Sequence, residues 1–104
     1  MRLMIEHHFD SAHWLPDYDG ACGNLHGHTW KVAVIIEGEP NDKGMVVDFR
    51  EVKQIINVLD HRCLNDIIPN PTAENIALWL LDRIPQCVQI QLWEGTKTSV
   101  QISR

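Results

Sequence analysis

The sequence predicts an α+β domain of order ββααββ, a four-stranded antiparallel sheet carrying two helices on one face. Three observations predict it. Two long stretches near the N-terminus alternate apolar and polar residues with period two. The middle of the chain repeats apolar residues at helical spacing in two successive blocks, and two shorter alternating stretches follow. A chain of 104 residues has room for one proper core and not for two, so residues 1–104 read as a single domain.

Residues 3–13 place Leu3, Ile5, His7, Phe9, Ser11 and His13 on one face of a strand, with Glu6, His8 and Asp10 on the other. Pro16, two aspartates and Gly20 make residues 15–22 a loop. Residues 26–37 alternate again, with His26, His28, Trp30, Val32, Val34 and Ile36 aligned, which predicts a long hairpin with an elaborate loop. Residues 38–44 form a second turn cluster. Asp48-Phe49-Arg50-Glu51 reads as a capping box, in which Asp48 accepts from the amide three residues on and Glu51 reaches back to the amide of Asp48. Phe49, Val52, Ile56 and Leu59 then follow at helical spacing, and Asp60-His61 ends that helix. Pro69-Asn70-Pro71 breaks the chain. Thr72 is the expected N-cap of a second helix carrying Ala73, Ile76, Ala77, Leu80 and Ile84, which Pro85 stops. Val88, Ile90 and Leu92 alternate as a third strand, Gly95-Thr96-Lys97 turns, and Val100 with Ile102 forms a fourth.

Composition narrows the function. The formal net charge of −5 argues against a nucleic-acid partner held by bulk phosphate attraction. The longest apolar run, Ile76 to Leu81, is too short to span a bilayer, and Glu6 and His7 interrupt the N-terminus before a signal-peptide pattern forms. The expectation is a cytoplasmic protein with no membrane partner. Three cysteines make no disulfide framework; Cys63 and Cys87 read as plain core or surface thiols.

Histidine is the unusual residue: of six, five lie within the first 28 positions. In a strand, His26 and His28 point to the same side, roughly 6.5–7 Å apart along the chain, and can converge on one Zn²⁺. Two ordinary strand histidines are the alternative. His13, ending the partner strand, supplies a third ligand, and three histidines with an open fourth position are a catalytic zinc arrangement. Cys22 stands four residues before His26. It is either the fourth ligand of a closed Cys-His₃ site, as in a non-catalytic module, or a base beside an open metal. Spacing alone leaves both open. His61 is read either as a complement to the helix dipole or as a proton carrier oriented by Asp60. Glu94 is read either as a solvated strand-end acid or as a carboxylate at the edge of an apolar pocket.

Phe9-Asp10-Ser11-Ala12-His13, Cys22-x-x-x-His26-Gly27-His28, Val47-Asp48-Phe49, Leu59-Asp60-His61-x-x-Leu64-Asn65, Pro71-Thr72-Ala73-Glu74-Asn75 and Glu94 occur in one order. In these motifs the chain resembles the 6-pyruvoyl-tetrahydropterin synthase family over nearly its whole length. Its three-residue spacer between Cys22 and His26 is most similar to that of the bacterial 6-carboxy-5,6,7,8-tetrahydropterin synthases of queuosine biosynthesis. The resemblance implies a tunnelling fold, with trimers closing a barrel and stacking into hexamers. It implies His13, His26 and His28 as zinc ligands, Cys22 as catalytic base, and Asp60 with His61 as a proton-relaying dyad contributed across a subunit interface. It also implies Glu94 as the anchor of the pterin's amino-pyrimidine edge, with help from the backbone near Thr72. The implied reaction is that of a lyase: 7,8-dihydroneopterin triphosphate gives 6-carboxy-5,6,7,8-tetrahydropterin, acetaldehyde and triphosphate. A 6-pyruvoyl synthase that stops after triphosphate elimination is the alternative within the family. A related group that forms 6-hydroxymethyl-dihydropterin carries Glu beside or in place of the cysteine, so Gly23 disfavours that activity. The chain is short for the family, with a trimmed loop before Cys22.

Overall fold

β1 (Arg2–His13) and β2 (His26–Glu37) pair antiparallel along their full length, from Arg2 opposite Glu37 to His13 opposite His26. The computed structural model describes all of residues 1–104. α1 (Phe49–Asn57), α2 (Ala73–Arg83), β3 (Cys87–Glu94) and β4 (Thr98–Ser103) follow. The sheet runs in the order β1-β2-β3-β4, antiparallel throughout, as the sequence predicts. Two short 3₁₀ turns, Ala21–Gly23 and Leu64–Asp66, were not anticipated.

Period-two patterning decides which face the helices cover. Ile5, Phe9, Trp30, Val32, Val34, Ile36, Ile90 and Leu92 are buried on one side of the sheet. Val52 and Ile56 of α1 and Ile76, Ala77, Leu80 and Leu81 of α2 join the same core. Each such aliphatic or aromatic side chain contributes about 1.5–3 kcal/mol when fully buried. A one-residue slip of β2 would exchange Trp30 and Val32 for Thr29 and Lys31, so the register is strongly fixed. The other face stays polar: Lys31 pairs with Glu6 at 2.8 Å, and its ammonium lies 4.7 Å from the centre of the Trp93 ring.

The first helix departs from expectation at both ends. Asp48 does cap it, but its carboxylate accepts from the Arg50 amide at 2.9 Å, and the Arg50 guanidinium returns to it at 3.1 Å. The reciprocal box does not form: Arg50 holds the Asp48 carboxylate, and the Glu51 amide donates to the Asp48 backbone carbonyl at 3.0 Å and not to its side chain. α1 also ends at Asn57, so Asp60 and His61 lie beyond it in a turn. His61 has φ of +53°, a left-handed backbone that costs a non-glycine residue on the order of 1 kcal/mol or more. Hydrogen bonds offset that cost. The His61 amide donates to the Asp10 carbonyl at 2.6 Å, the Asp10 amide to Asp60 Oδ1 at 2.8 Å, and the Ala12 amide to the Arg62 carbonyl at 2.9 Å. Residues 60–63 therefore cover the outer edge of β1 at its histidine end. Thr72 caps α2 as expected, its hydroxyl accepting from the Asn75 amide at 3.1 Å.

Candidate metal and substrate site

The hairpin register alone brings the three histidines together. His13 faces His26 across the ladder, and His28 follows two residues on along the same face. The ring centroids are 4.6 Å (His13–His26), 5.2 Å (His13–His28) and 4.8 Å (His26–His28) apart. One donor nitrogen of each lies within 4.8 Å of the other two. His13 Nδ1 bonds to the Pro71 carbonyl and His26 Nδ1 to the Asn24 carbonyl, each at 2.7 Å. A carbonyl only accepts, so both Nδ1 atoms carry protons and, in the neutral rings, both Nε2 atoms carry lone pairs. Nε2 of His13 and of His28 are buried without any hydrogen-bond partner. Orphaned buried nitrogens are costly, and three converging imidazoles are a donor set that fits a zinc-like cation. Burial holds His28 below its ordinary range; Glu94 opposes this, and His13 and His26 add to it. The neutral ring so favoured is the one that ligates. Trp30 stands edge-on to His13 and His28, with ring centroids 5.1 and 5.2 Å away.

Cys22 is half-buried in the first 3₁₀ turn, where its carbonyl accepts from the Leu15 amide at 2.9 Å. It is not one of the converging donors. Gly23 has a packing reason of its own: a Cβ there would sit 2.6 Å from the Tyr18 carbonyl oxygen. Gly27 has no such reason within the chain, since its Cβ would meet only the Ser11 oxygen at 3.8 Å.

Asp60 and His61 form a pair, Oδ2 to Nδ1 at 2.8 Å. The Asp10 amide, then His61, hold the Asp60 carboxyl below its usual range. Asp60 raises His61 by hydrogen bond and by charge, on a side chain that is 80% exposed. His61 lines an open cleft of about 590 Å³ with Asp10, Gly27, His28, Thr29 and Cys63.

Glu94 lies closer to the histidines than its strand-end position suggests. Its Oε2 is 3.8 Å from His13 Nε2 and its Oε1 3.6 Å from His28 Nε2. On its other side it lines a cleft of about 300 Å³ with Ala73, Glu74, Thr98, Ser99 and Val100, next to the Thr72 cap. Asn65 is a residue whose role sequence reasoning missed. Its Nδ2 donates to the Trp14 carbonyl at 2.8 Å and its Oδ1 accepts from the Trp14 amide at 3.0 Å. An amide side chain, with one donor and one acceptor end, so replaces a strand partner directly after His13.

Fold and site together define a protein built on an antiparallel sheet with three histidines placed so that they could hold a metal ion. The sequence model described as 6-pyruvoyl tetrahydropterin synthase matches residues 2–104, and the chain belongs to that family. It is 38% identical to the dihydroneopterin monophosphate aldolase of Pyrococcus furiosus, covering 97% of this chain and 96% of that one. It is 32% identical to the 6-carboxy-5,6,7,8-tetrahydropterin synthase of Bacillus subtilis, covering 93% of this chain and 80% of that one. That alignment runs over 118 positions against a chain of 104, so the longer relative carries insertions within the matched span. The solved structure of Caenorhabditis elegans 6-pyruvoyl tetrahydropterin synthase shares the fold, with a TM-score of 0.78 at 22% identity over 100% of this chain and 95% of that one.

Proposed function

We propose that the protein is a zinc-dependent carbon–carbon lyase acting on the C6 side chain of a dihydroneopterin phosphate. In the reading that the Bacillus subtilis relative supports, 7,8-dihydroneopterin triphosphate and one water become 6-carboxy-5,6,7,8-tetrahydropterin, acetaldehyde and triphosphate. That reaction serves cytoplasmic queuosine biosynthesis, in a hexamer formed from two trimers. The observation that carries the proposal is the set of three converging imidazoles, with the Nε2 atoms of His13 and His28 orphaned and no thiol among the donors. A closed structural site would have recruited Cys22.

His13, His26 and His28 would hold the metal, which when bound supplies Lewis acidity at the side-chain hydroxyls and so acidifies the neighbouring carbon. The chain's own residues do the rest. Cys22 accepts the proton from the side-chain carbon. His61, whose pKa Asp60 raises, returns one towards the pterin ring, working with the Cys22 of a neighbouring subunit. Glu94 accepts the paired N–H groups of the amino-pyrimidine edge, a bidentate pattern that fixes ring orientation. The backbone at Thr72 borders the same cleft.

A second reading has its own support. The chain matches the monophosphate aldolase almost end to end, and Gly23 is explained by the Tyr18 carbonyl rather than by chemistry. In that reading the C1′–C2′ bond of dihydroneopterin monophosphate breaks, giving 6-hydroxymethyl-7,8-dihydropterin and glycolaldehyde phosphate. Mass analysis after incubation with each substrate separates them. Acetaldehyde with a carboxypterin supports the first reading, and glycolaldehyde phosphate the second. Triphosphate without any aldehyde identifies a synthase that stops at elimination. No turnover of either substrate by zinc-loaded protein overturns the proposal.

A further inference from the structure

The carboxylate of Glu94 faces the metal nitrogens in a way that ordinary hydrogen bonding does not explain. His13 Nδ1 donates to Pro71, so the neutral ring presents a lone pair at Nε2, and that lone pair looks at Glu94 Oε2 from 3.8 Å. The other oxygen looks at the orphaned His28 Nε2 from 3.6 Å. Both distances are too long for hydrogen bonds. Both are also what two ligands of one cation show: donors bonded to zinc at about 2.0–2.2 Å stand about 3.3–4.2 Å apart, depending on the angle between them. The carboxylate makes no hydrogen bond to another side chain, and it is one-third exposed, on the side of the cleft bounded by Ala73, Glu74 and Ser99.

We propose that Glu94 is a fourth, exchangeable ligand of the metal, closing the three-histidine site at rest and swinging into the adjacent cleft when a pterin binds. The exchange half rests on the pterin reading above; the ligand half does not. The amino-pyrimidine edge and C6 lie at opposite ends of a pterin bicycle. One carboxylate cannot hold that edge while it stands against the nitrogens that bind the metal near the C6 side chain. The 300 Å³ cleft gives it a second position on the same short side chain. The same movement would open the metal's coordination only when substrate is present, which keeps water chemistry at the resting metal low.

The test uses the full chain loaded with Zn²⁺ or with Co²⁺ as a spectroscopic substitute. Glu94→Gln should weaken zinc binding at least 10-fold in competition with a chelator, in the range of on the order of 10–100-fold seen even for groups that only support ligands. It should also change the visible spectrum of the cobalt form. Unsubstituted pterin, which has no C6 side chain to offer the metal, should move the wild-type cobalt spectrum towards that of Glu94→Gln. This arm stays decisive if the variant folds poorly. Unchanged zinc affinity and an unchanged cobalt spectrum in a folded Glu94→Gln overturn the ligand role. Pterin that quenches tryptophan fluorescence yet leaves the wild-type spectrum unmoved overturns the exchange. Pterin that fails to bind at all, with the variant's metal defect intact, upholds the ligand and overturns the substrate reading instead.

Discussion

Asp60 and His61 set an expectation for pH. His61's pKa is raised by Asp60, so its share of stability is complete below the unfolded value near 6.5 and is lost as pH rises through the folded value. Asp60's is lowered, so its share is present above the usual carboxylate range and is lost as pH falls. If charged His61 donates a proton, Asp60→Asn should shift the alkaline limb of the kcat/KM profile to lower pH, alongside the His61 titration followed by NMR. Two profiles that superimpose would remove Asp60 from that role. At the metal, His26→Ala should lose stoichiometric zinc and all activity; full zinc content by atomic absorption in that variant sinks the three-histidine site. Cys22 should behave differently, since it stands outside the converging donors. Cys22→Ala should keep its zinc and lose activity on the order of 10²–10⁴-fold, the usual range for a positioned acid–base group. Zinc falling together with activity would make Cys22 a ligand.

Elements translate those residues into geometry. Thr72 caps α2, and the neighbouring Pro71 carbonyl orients His13, so one local structure serves both the helix and the three-histidine cluster. Thr72→Ala should cost about 1 kcal/mol by denaturant unfolding and weaken zinc binding, whereas Thr72→Ser should do neither. A stable Thr72→Ala with unaltered metal affinity would separate the two roles. That cap was legible in the sequence because a hydroxyl before a run of good helix formers has one obvious partner. The hairpin was legible for the same kind of local reason, and His13, His26 and His28 came with it, since strand pairing converts alternation into proximity. The Asp48 box was misread because Arg50 competes for the carboxylate, a choice between side chains that no spacing encodes. The end of α1 was overrun because Leu59 is buried like a helical residue while lying in the turn after it. Asn65 and the approach of Glu94 to His28 depend on contacts between distant segments, so only folding reveals them.

At the scale of the molecule, the chain is long and thin. It measures 51 × 23 × 23 Å with a radius of gyration of 14.4 Å, against about 13 Å for an ordinary domain of this length. Only 22 of 104 residues are buried, and β1 and β4 are both edges. Residues 60–63 cover β1 only near Asp10 and Ala12, which leaves most of its edge, and that of β4, open for pairing. Closing several such sheets into one barrel removes every edge. The protein should therefore sediment as an oligomer, most simply a hexamer, at micromolar concentration; an active monomer there would rule this out. If His61 serves the Cys22 of a neighbouring subunit, co-expressing Cys22→Ala with His61→Ala should restore part of the activity through mixed interfaces. No recovery after confirmed subunit exchange would return the dyad to its own chain.

The unbroken pairing of β1 with β2 also says where this chain can change length over evolutionary time. Every position from Arg2 to His13 is locked to a partner between His26 and Glu37, so inserting or deleting a single residue within either strand moves a histidine to the opposite side of the sheet. Residues 14–25 carry no such constraint, because adding to them leaves the ladder in step. Descendants and cousins of this sequence should vary in size chiefly there, with the two strands keeping a constant count, so that substrate reach is tuned by loop growth while the metal cradle is inherited whole.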